Sequence, residues 1–456
     1  MKSKLLFYAL WLTLIFPPAA LAEGEAGTNA FTCWATQDYL LGDWGGSRTE
    51  LSRHGVDFEF FYIGSEPDNL AGGLRTGAIY QGLALATLDL DSQKLLGYTG
   101  GKLHVSGLWL QGQEGFSANY SGDYNRVNLV DFPNATRLGE LWYSQQFFQN
   151  QLSFKVGELS VDSDFIVPEY YAGPGQFTLL NQTFFYPSLP FNLFDPPGFP
   201  TTGHGLATMP LAAPGAVIRW SPSEHIYAQA AIYSGTPDQS PSGAQFSVSQ
   251  PDGALNYFEL GWRHNPGTNN PGLGGAYKIG AYYHTSDFAD VYDGVLNCYG
   301  GMPVAVARHQ GNYGAYLLAE QQLALKDGKA DPAQQGLSAF GRLLGAPADR
   351  NLTQLEVDAG LVYRGLIPTR NWDTLALAGS YLEFSDQISR AQQYLNALAP
   401  GSFTPVDYEG VIELSYKIQA TAWWTIQPSV QHVFHPSGSS AIPGATVFIL
   451  QTTLRF

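Results

Sequence analysis

The segment Ala445 to Phe456 reads ATVFILQTTLRF and alternates along its whole length. Phe448, Leu450, Thr452, Leu454 and Phe456 fall on one face. Val447, Ile449, Gln451, Thr453 and Arg455 fall on the other. Successive strand side chains point to opposite sides, so this is one strand with an apolar face and a face that turns polar toward its end. A closing strand with a terminal Phe is the usual finish of a bacterial outer-membrane barrel. A core strand of a water-soluble sheet shows the same alternation, so the rest of the chain has to discriminate.

The N-terminus points to export. Lys2 and Lys4 precede an apolar stretch from Leu5 to Phe16, and Ala20-Leu21-Ala22 fits a small-x-small cleavage site. That apolar stretch is short for a membrane helix. No later window approaches the ~20 apolar residues such a helix needs. The expected organisation is an export signal over 1–22, an N-terminal periplasmic segment with a short helix over 23–55, and a barrel over 56–456. Charged residues make up 14% of the chain, against ~25% in a typical soluble domain. Aromatics reach 14%. Low charge with many aromatics suits a barrel that is apolar outside and polar inside. The formal net charge of −16 disfavours nucleic-acid binding, which needs basic footprints. Cys33 and Cys298 are too distant in sequence for a CxxC site, and whether they are bridged stays open.

Transmembrane strands of ~9–11 residues separated by turns are the pattern to look for. Fifteen segments qualify. They are Val56–Gly64, Tyr80–Leu90, Leu103–Leu110, Arg137–Phe147, Leu152–Leu159, Ala216–Trp220, Ile226–Tyr233 and Leu255–Arg263, then Ala276–His284, Asn312–Leu323, Leu355–Arg364, Thr374–Phe384, Val411–Ile418, Thr425–Val433 and Ala445–Phe456. Single-chain bacterial barrels usually have an even strand number. A sixteenth strand is therefore expected between Phe165 and Pro200, where prolines blur the alternation. The fold class is all-β: a transmembrane antiparallel barrel of sixteen strands, wide enough to hold water. Phe165 to Pro214 reads as a long packed loop that folds over or into the lumen. A helix is expected around Asp331-Pro332, where Asp caps and Pro suits a first turn. Another is expected over Ser47 to His54.

A Lys or Arg facing hydrocarbon at mid-depth costs ~2–4 kcal/mol, so charged strand faces should turn inward. That rule selects Lys278 and His284; Glu356, Asp358 and Arg364; and Glu413 and Lys417. Glu140, Lys155, Glu259, Arg263, Gln451 and Arg455 extend the set, with Trp142 beside Glu140. The expectation is a solvated lumen with internal ion pairs. Any one of these residues is more simply part of that lining than a specific solute contact. Trp142 and Trp109 are candidates to stack on sugar rings, while most Trp and Tyr side chains suit an interfacial girdle. Asp162 and Asp164 form a carboxylate pair beside a strand end, and Asp89 and Asp91 mark the wet end of theirs. His432 and His435 point to opposite faces at strand spacing, which argues against a shared metal. No GxSxG elbow, HExxH, Walker loop or dinucleotide fingerprint is present. Neither catalytic residues nor a metal or cofactor is expected.

Several short motifs recur in one order. Leu41-Gly42-Asp43-Trp44-Gly45-Gly46-Ser47-Arg48-Thr49 is followed by Gly72-Gly73-Leu74-Arg75 and Asp91-Ser92-Gln93-Lys94-Leu95-Leu96-Gly97. Then come Arg137-Leu138 through Trp142, Gly336-Leu337-Ser338-Ala339-Phe340, and Asp358-Ala359-Gly360-Leu361-Val362-Tyr363-Arg364-Gly365. Tyr408-Glu409, Gln427-Pro428 and His435-Pro436 complete the series. In this order they resemble the OprB-type carbohydrate-selective porins across nearly the whole mature chain. The resemblance implies a 16-stranded outer-membrane barrel that passes sugars by passive diffusion, without cofactor or energy source. Expected partners are carbohydrate solutes, outer-membrane lipids and the barrel-assembly machinery, which would read the closing strand. A monomer and a homotrimer are both open. One departure stands out. Where pseudomonad-like members carry an acidic residue followed by Arg, the matching region here is Ser106-Gly107-Leu108-Trp109, so the constriction Arg is absent or supplied elsewhere. The alternatives are a general or cation-preferring porin of the same fold and, without motif support, a barrel hydrolase.

Overall fold

The computed structural model describes residues 34–170, 178–187, 207–249, 252–266, 272–300, 303–326 and 335–456. The expected export signal and Cys33 lie outside these residues, so the Cys33–Cys298 pairing does too.

The strands are β1 (Val56–Ala71), β2 (Gly77–Ala78), β3 (Gln81–Asp91), β4 (Gly101–Gly112), β5 (Ala135–Phe147) and β6 (Leu152–Leu159). They continue with β7 (Ala213–Trp220), β8 (Ile226–Ser234), β9 (Ala254–His264), β10 (Gly275–Ala289), β11 (Arg308–Leu325) and β12 (Gly336–Gly345). The last are β13 (Thr353–Arg364), β14 (Thr374–Phe384), β15 (Tyr408–Thr421), β16 (Trp424–Phe434) and β17 (Ala445–Arg455). The sheet counts 17 strands, of which β2 is a two-residue pairing, so 17 − 1 leaves sixteen that cross. Each long strand pairs antiparallel with the next, and β17 returns to β1 with Phe61 opposite Arg455 and Gly64 opposite Thr452. The sheet is closed. In hydrocarbon every backbone polar group must be satisfied within the protein, and closure removes the two edges that an open sheet would leave unpaired.

Among the described residues of 165–200, 165–170 and 178–187, none is strand, and the sixteenth crossing strand is found elsewhere. It is β12, at Gly336–Gly345, paired to β11 and β13. Its GLSAFGRLLG sequence mixes small and polar residues, which weakens the alternation that reveals the other strands. The expected helix around Asp331 is corrected for the same reason. Residues 327–334 lie outside the description, and from Gly336 onward the backbone is strand. The cap-like Asp-Pro precedes a β segment whose register is set by its neighbours. The N-terminal helix spans Ser47–Arg53, close to the expected range.

The faces follow the alternation. Leu414, Ile412, Leu377, Leu361 and Ile279 are exposed on the outer surface, while Glu413, Val411, Ala376, Val362 and Lys278 are buried inside. Val447, Ile449 and Gln451 of β17 are also buried. Trp109 is 52% exposed and faces outward, so it belongs to the girdle and not to the lumen. Short turns join strands at one end (148–151, 221–225, 422–423), and long connections join them at the other (113–134, 160–212, 385–407). Short turns mark the periplasmic end. The described N-terminal segment from Trp34 and the C-terminal Phe456 lie there. Leu40 donates its N–H to the Arg455 carbonyl (2.8 Å), and Arg48 donates to the Phe456 carbonyl (2.7 Å). The Arg48 guanidinium lies over the Tyr39 and Trp44 rings, 3.7 and 4.5 Å from their centroids. Gly45 and Gly46 hold left-handed backbone (φ 69° and 96°) that turns the chain into the helix carrying Arg48. The LGDWGGSRT motif is thus a latch on the closing strand. At the opposite end, the helices Val291–Gly300 and Asp386–Leu398 pack through Val295, Leu296, Ala391 and Leu395.

The outer assignment predicts a depth-dependent cost. Leu414→Lys places a charge near mid-membrane and should lower the unfolding free energy in lipid vesicles by ~2–4 kcal/mol. A urea titration giving a change below ~1 kcal/mol would place that face away from hydrocarbon.

Candidate functional site

The lumen is not a bare cylinder. The connection 113–134 and the described stretches 160–170 and 178–187 of the next one turn inward and lie against the wall as a collar. Buried loop backbone must find hydrogen-bond partners. The inward side chains of the strands supply them, acceptors meeting N–H groups and donors meeting carbonyls.

The described part of 160–170 follows the wall strand by strand. Glu140 on β5 accepts from Ser160 N (2.8 Å). Gln229 on β8 donates to Asp164 O (2.6 Å). Glu259 on β9 accepts from Ile166 N (3.1 Å), and Lys278 on β10 donates to Val167 O (2.6 Å). Glu320 on β11 accepts from two adjacent peptides, Glu169 N (2.7 Å) and Tyr170 N (2.9 Å). The stretch 178–187 is held by the opposite wall. Gln427 on β16 donates to Thr178 O (3.1 Å). Glu413 on β15 accepts from Leu180 N (2.7 Å), Asn181 N (2.9 Å) and the Ser429 hydroxyl (2.8 Å). Glu356 on β13 accepts from the Thr183 hydroxyl (2.6 Å), and Arg342 on β12 donates to the Thr183 carbonyl. The other connection uses the same device. Glu409 accepts from Tyr124 N (2.7 Å), Asn125 N (2.8 Å) and Ser437 N (2.6 Å), while Asp131 accepts from Phe116 N (3.0 Å) and Ser117 N (2.8 Å).

These contacts revise the expectation of a solvated lining. Glu259, Glu356 and Glu413 are fully buried and bound to the collar or the neighbouring wall. Tyr227 and Tyr316 also donate their hydroxyls to Glu259 (2.7 and 2.8 Å). Gly261 and Gly280 make room for those rings, because a Cβ there would sit 2.0 and 2.1 Å from ring carbons. His284 is buried with Nε2 2.8 Å from the Gly235 carbonyl. Asp358 pairs with Arg342 at 2.7 Å, both side chains fully buried. Arg263 makes a two-pronged contact to Glu169 (2.6 and 3.0 Å), and Lys278 reaches the same carboxylate at 3.1 Å. Burial alone would raise the Glu169 carboxyl, but these two cations hold it below its usual range. Arg455 pairs with Glu59 at the periplasmic rim, beneath the Tyr39 ring. Gln451 is buried opposite Gln427 and Ser65. Arg364 is partly buried and Lys417 buried, both opposite Thr374.

Three of the expected residues come together elsewhere. Glu140, Trp142 and Lys155 line a recess of about 410 Å³ between the wall and the collar, with His104, Ser106 and Asp162. A β-bulge creates it: Gly139 and Glu140 both lie opposite Ser106, between the pairs Leu141–Val105 and Leu138–Gly107. The extra residue lets Arg137 and Glu140 face the same side despite their odd and even numbers. His104 stacks on Trp142 (centroids 4.8 Å apart, 14° between planes), and Lys155 Nζ lies 4.7 Å from the same ring. His104 Nδ1 is 2.7 Å from Asp89, which Lys102 also reaches at 3.1 Å. Trp142 Nε1 is buried with no acceptor among the described residues. Asp162 and Asp164 diverge. Asp164 pairs with Lys155 (2.8 Å), while Asp162 takes the Ser160 hydroxyl, and burial pushes its carboxyl up to about 7. His432 and His435 go to Thr446 and Asp407. Among the described residues no group of three or more His, Cys, Asp or Glu side chains is placed to hold a metal.

Residues missed from sequence are Glu320, Glu409, Arg342, Gln427, Gln431 and His104. Glu320 and Glu409 share the alternation phase of Leu318 and Val411, so that signal was present. Arg342 was hidden with β12.

The buried pair gives a direct test. Arg342→Met leaves Asp358 unpaired and should destabilise the folded barrel by ~3–5 kcal/mol. Arg342→Met with Asp358→Leu should recover most of that loss in the same unfolding titration.

Comparison with known proteins fits this geometry. Residues 75–456 match the family described as "Carbohydrate-selective porin, OprB family". The chain is 27% identical over 452 residues to Porin B of Pseudomonas aeruginosa, covering 95% of this chain and 94% of that protein. It is 23% identical over 473 residues to the putative porin QuiX of Acinetobacter baylyi, covering 96% and 98%. The high-pH structure of Pseudomonas putida OprB aligns with a TM-score of 0.80 at 25% identity, over 94% of this chain and 100% of that one. The low-pH structure of the same protein aligns with a TM-score of 0.57 at 18% identity, over 92% and 99%.

Proposed function

Because this chain belongs to the OprB family of carbohydrate-selective porins, we propose that its solutes, mono- or small oligosaccharides, pass the recess between wall and collar on their way to the periplasm. The protein is an outer-membrane channel for carbohydrates and not an enzyme. The finer reading rests on one observation: the recess is lined by hydrogen-bonding groups of both kinds, and collar contacts take only part of the capacity of Glu140 and Lys155. Its volume of about 410 Å³ falls within the ~300–1,000 Å³ of small-molecule sites. Glu140 keeps an acceptor oxygen beyond its Ser160 contact and Lys155 keeps N–H donors beyond its Asp164 pair, while Trp142 lines the same recess. A sugar needs this mixture, because each hydroxyl both donates and accepts. These groups replace part of its hydration during passage, and contacts must stay weak enough for exit. Trp142 does not offer an open ring face in the way first expected, since His104 already stacks on it. Lys155 supplies a lumenal cation beside Ser106, in the region where the resemblance led to a constriction Arg being expected.

The same reading takes residues 1–22 as removed on export and β17 as the strand the assembly machinery engages. A cation-preferring pore is less well supported. Inward acids that would favour cations, Glu140, Glu259, Glu320, Glu409 and Glu413, accept from collar peptides.

Purified protein in planar bilayers and liposomes tests the proposal. Sugars should reduce the ionic current at saturating concentration and swell liposomes faster than amino acids of matched size. Equal swelling rates would overturn carbohydrate preference in this chain. Lys155→Met removes the cationic donor from the recess, so the half-blocking sugar concentration should rise roughly 10-fold. An unchanged value would remove the recess from the pathway.

A further inference from the structure

We infer that Glu413 and Glu320 are positioning residues that hold the pore open by pinning the inner collar against the barrel wall. The inference rests on the porin reading above and deepens it. Each carboxylate grips two consecutive peptides: Leu180 and Asn181 for Glu413, Glu169 and Tyr170 for Glu320, all at 2.7–2.9 Å. The two side chains stand on β15 and β11, so they hold the two described stretches of the same connection at separate places on the wall. Contact is direct, without room for an intervening water. The collar therefore has no freedom to move outward, and any displacement carries it toward the pore axis or along it. Held against the wall, it leaves the largest passage its bulk allows. The surrounding pins share this logic but do not take two adjacent backbone N–H groups: Gln427 holds one carbonyl, Glu356 one hydroxyl, Lys278 one carbonyl and the Glu169 side chain, and Arg263 that same side chain. The paired grips of Glu413 and Glu320 fix both position and orientation of the segment. An acceptor–acceptor fork facing two adjacent N–H groups is also the arrangement that no other side-chain class reproduces. Glutamine in its place offers one oxygen and turns an NH2 toward the second amide.

Glu413→Gln and Glu320→Gln should shift the balance between pinned and released collar by roughly 10- to 100-fold each, the usual weight of hydrogen bonds to a charged group. Single-channel recordings in salt alone read this directly. The wild-type channel should stay open, whereas either variant should flicker and spend a larger share of time closed, and the double variant more so. Sugar flux into liposomes should fall in proportion. Folding is monitored in the same samples by the mobility difference between heated and unheated protein on gels. As a second arm, Asn181→Cys and Gln431→Cys are introduced with Cys33→Ser and Cys298→Ser. Asn181 Nδ2 already lies 3.0 Å from Gln431 Oε1, so a short bis-methanethiosulfonate, losing one methanesulfinate at each cysteine thiolate, joins loop to wall there. Cross-linking in the Glu413→Gln background should restore steady conductance. Folded variants that conduct steadily at the wild-type level would overturn the inference. So would a steady rise in conductance, which would mean that the pins narrow the pore. Neither result depends on sugar. A wild-type channel that conducts without sugar block would instead fail the recess assignment and leave the pins standing.

Discussion

Everything in this molecule depends on satisfying backbone polar groups without water. In the membrane, that requirement closes the sheet, because an unpaired edge strand has nothing to bond in hydrocarbon. The pairing of β1 with β17 is the contact that completes it, running from Phe61–Arg455 to Ala71–Thr446. The Arg48 latch sits at the end of this seam, on the carbonyl of Phe456. Phe60 and Phe456 meet edge to face beside it, 5.0 Å between centroids. The last pair formed in the sheet is thus also the one reinforced from outside it.

The same requirement acts a second time inside the barrel. A connection that enters the lumen loses water from its peptides just as a strand does. It has no neighbouring strand to pair with there, so the wall side chains stand in. Glu413, Glu320 and Glu409 take paired N–H groups, and Asp131 does the same from within its own loop. Gln229, Gln427, Gln431 and Lys278 take carbonyls. The inward face of this barrel is therefore a template for a particular backbone path before it is a surface for solutes. The recess at Trp142 exists where the template breaks, at the β-bulge on β5.

How much of this could be read from the sequence follows from the range of each interaction. Strand alternation is local, and it revealed fifteen of the crossing strands and the inward phase of Lys278, Glu356 and Glu413. It failed at β12 because a small-residue strand after Asp-Pro has a helical start signal and a weak period of two. The collar was legible only as a long packed loop. Its partners are separated from it by hundreds of residues, as with Leu180 and Glu413, 233 apart in the chain. Nothing within a ten-residue window encodes such a match. Trp109 and Trp142 looked equivalent as aromatics near a turn, yet one faces out at 52% exposure and the other stacks on His104. Register across the β4–β5 bulge separates them, and register belongs to the pair of strands.

Net charge shows the same limit from another side. A chain at −16 invites the expectation of a cation-attracting pore. That inference treats every carboxylate as a field source facing the solute. Here Glu259, Glu320, Glu356, Glu409 and Glu413 are all buried and committed to peptide or hydroxyl donors. Two further acids, Glu169 and Asp358, are matched by Arg263, Lys278 and Arg342. Their charge holds the collar in place. What a passing solute meets is the smaller set left over around the recess, where Lys155 and His104 stand among Asp89, Glu140, Asp162 and Asp164. That set has more acids than bases, but Lys155 and His104 pair with Asp164 and Asp89, and it is rich in both donors and acceptors. A neutral polyhydroxylated solute suits such a surface better than a simple ion does, because it can use every group there without carrying a charge of its own into the narrowed lumen.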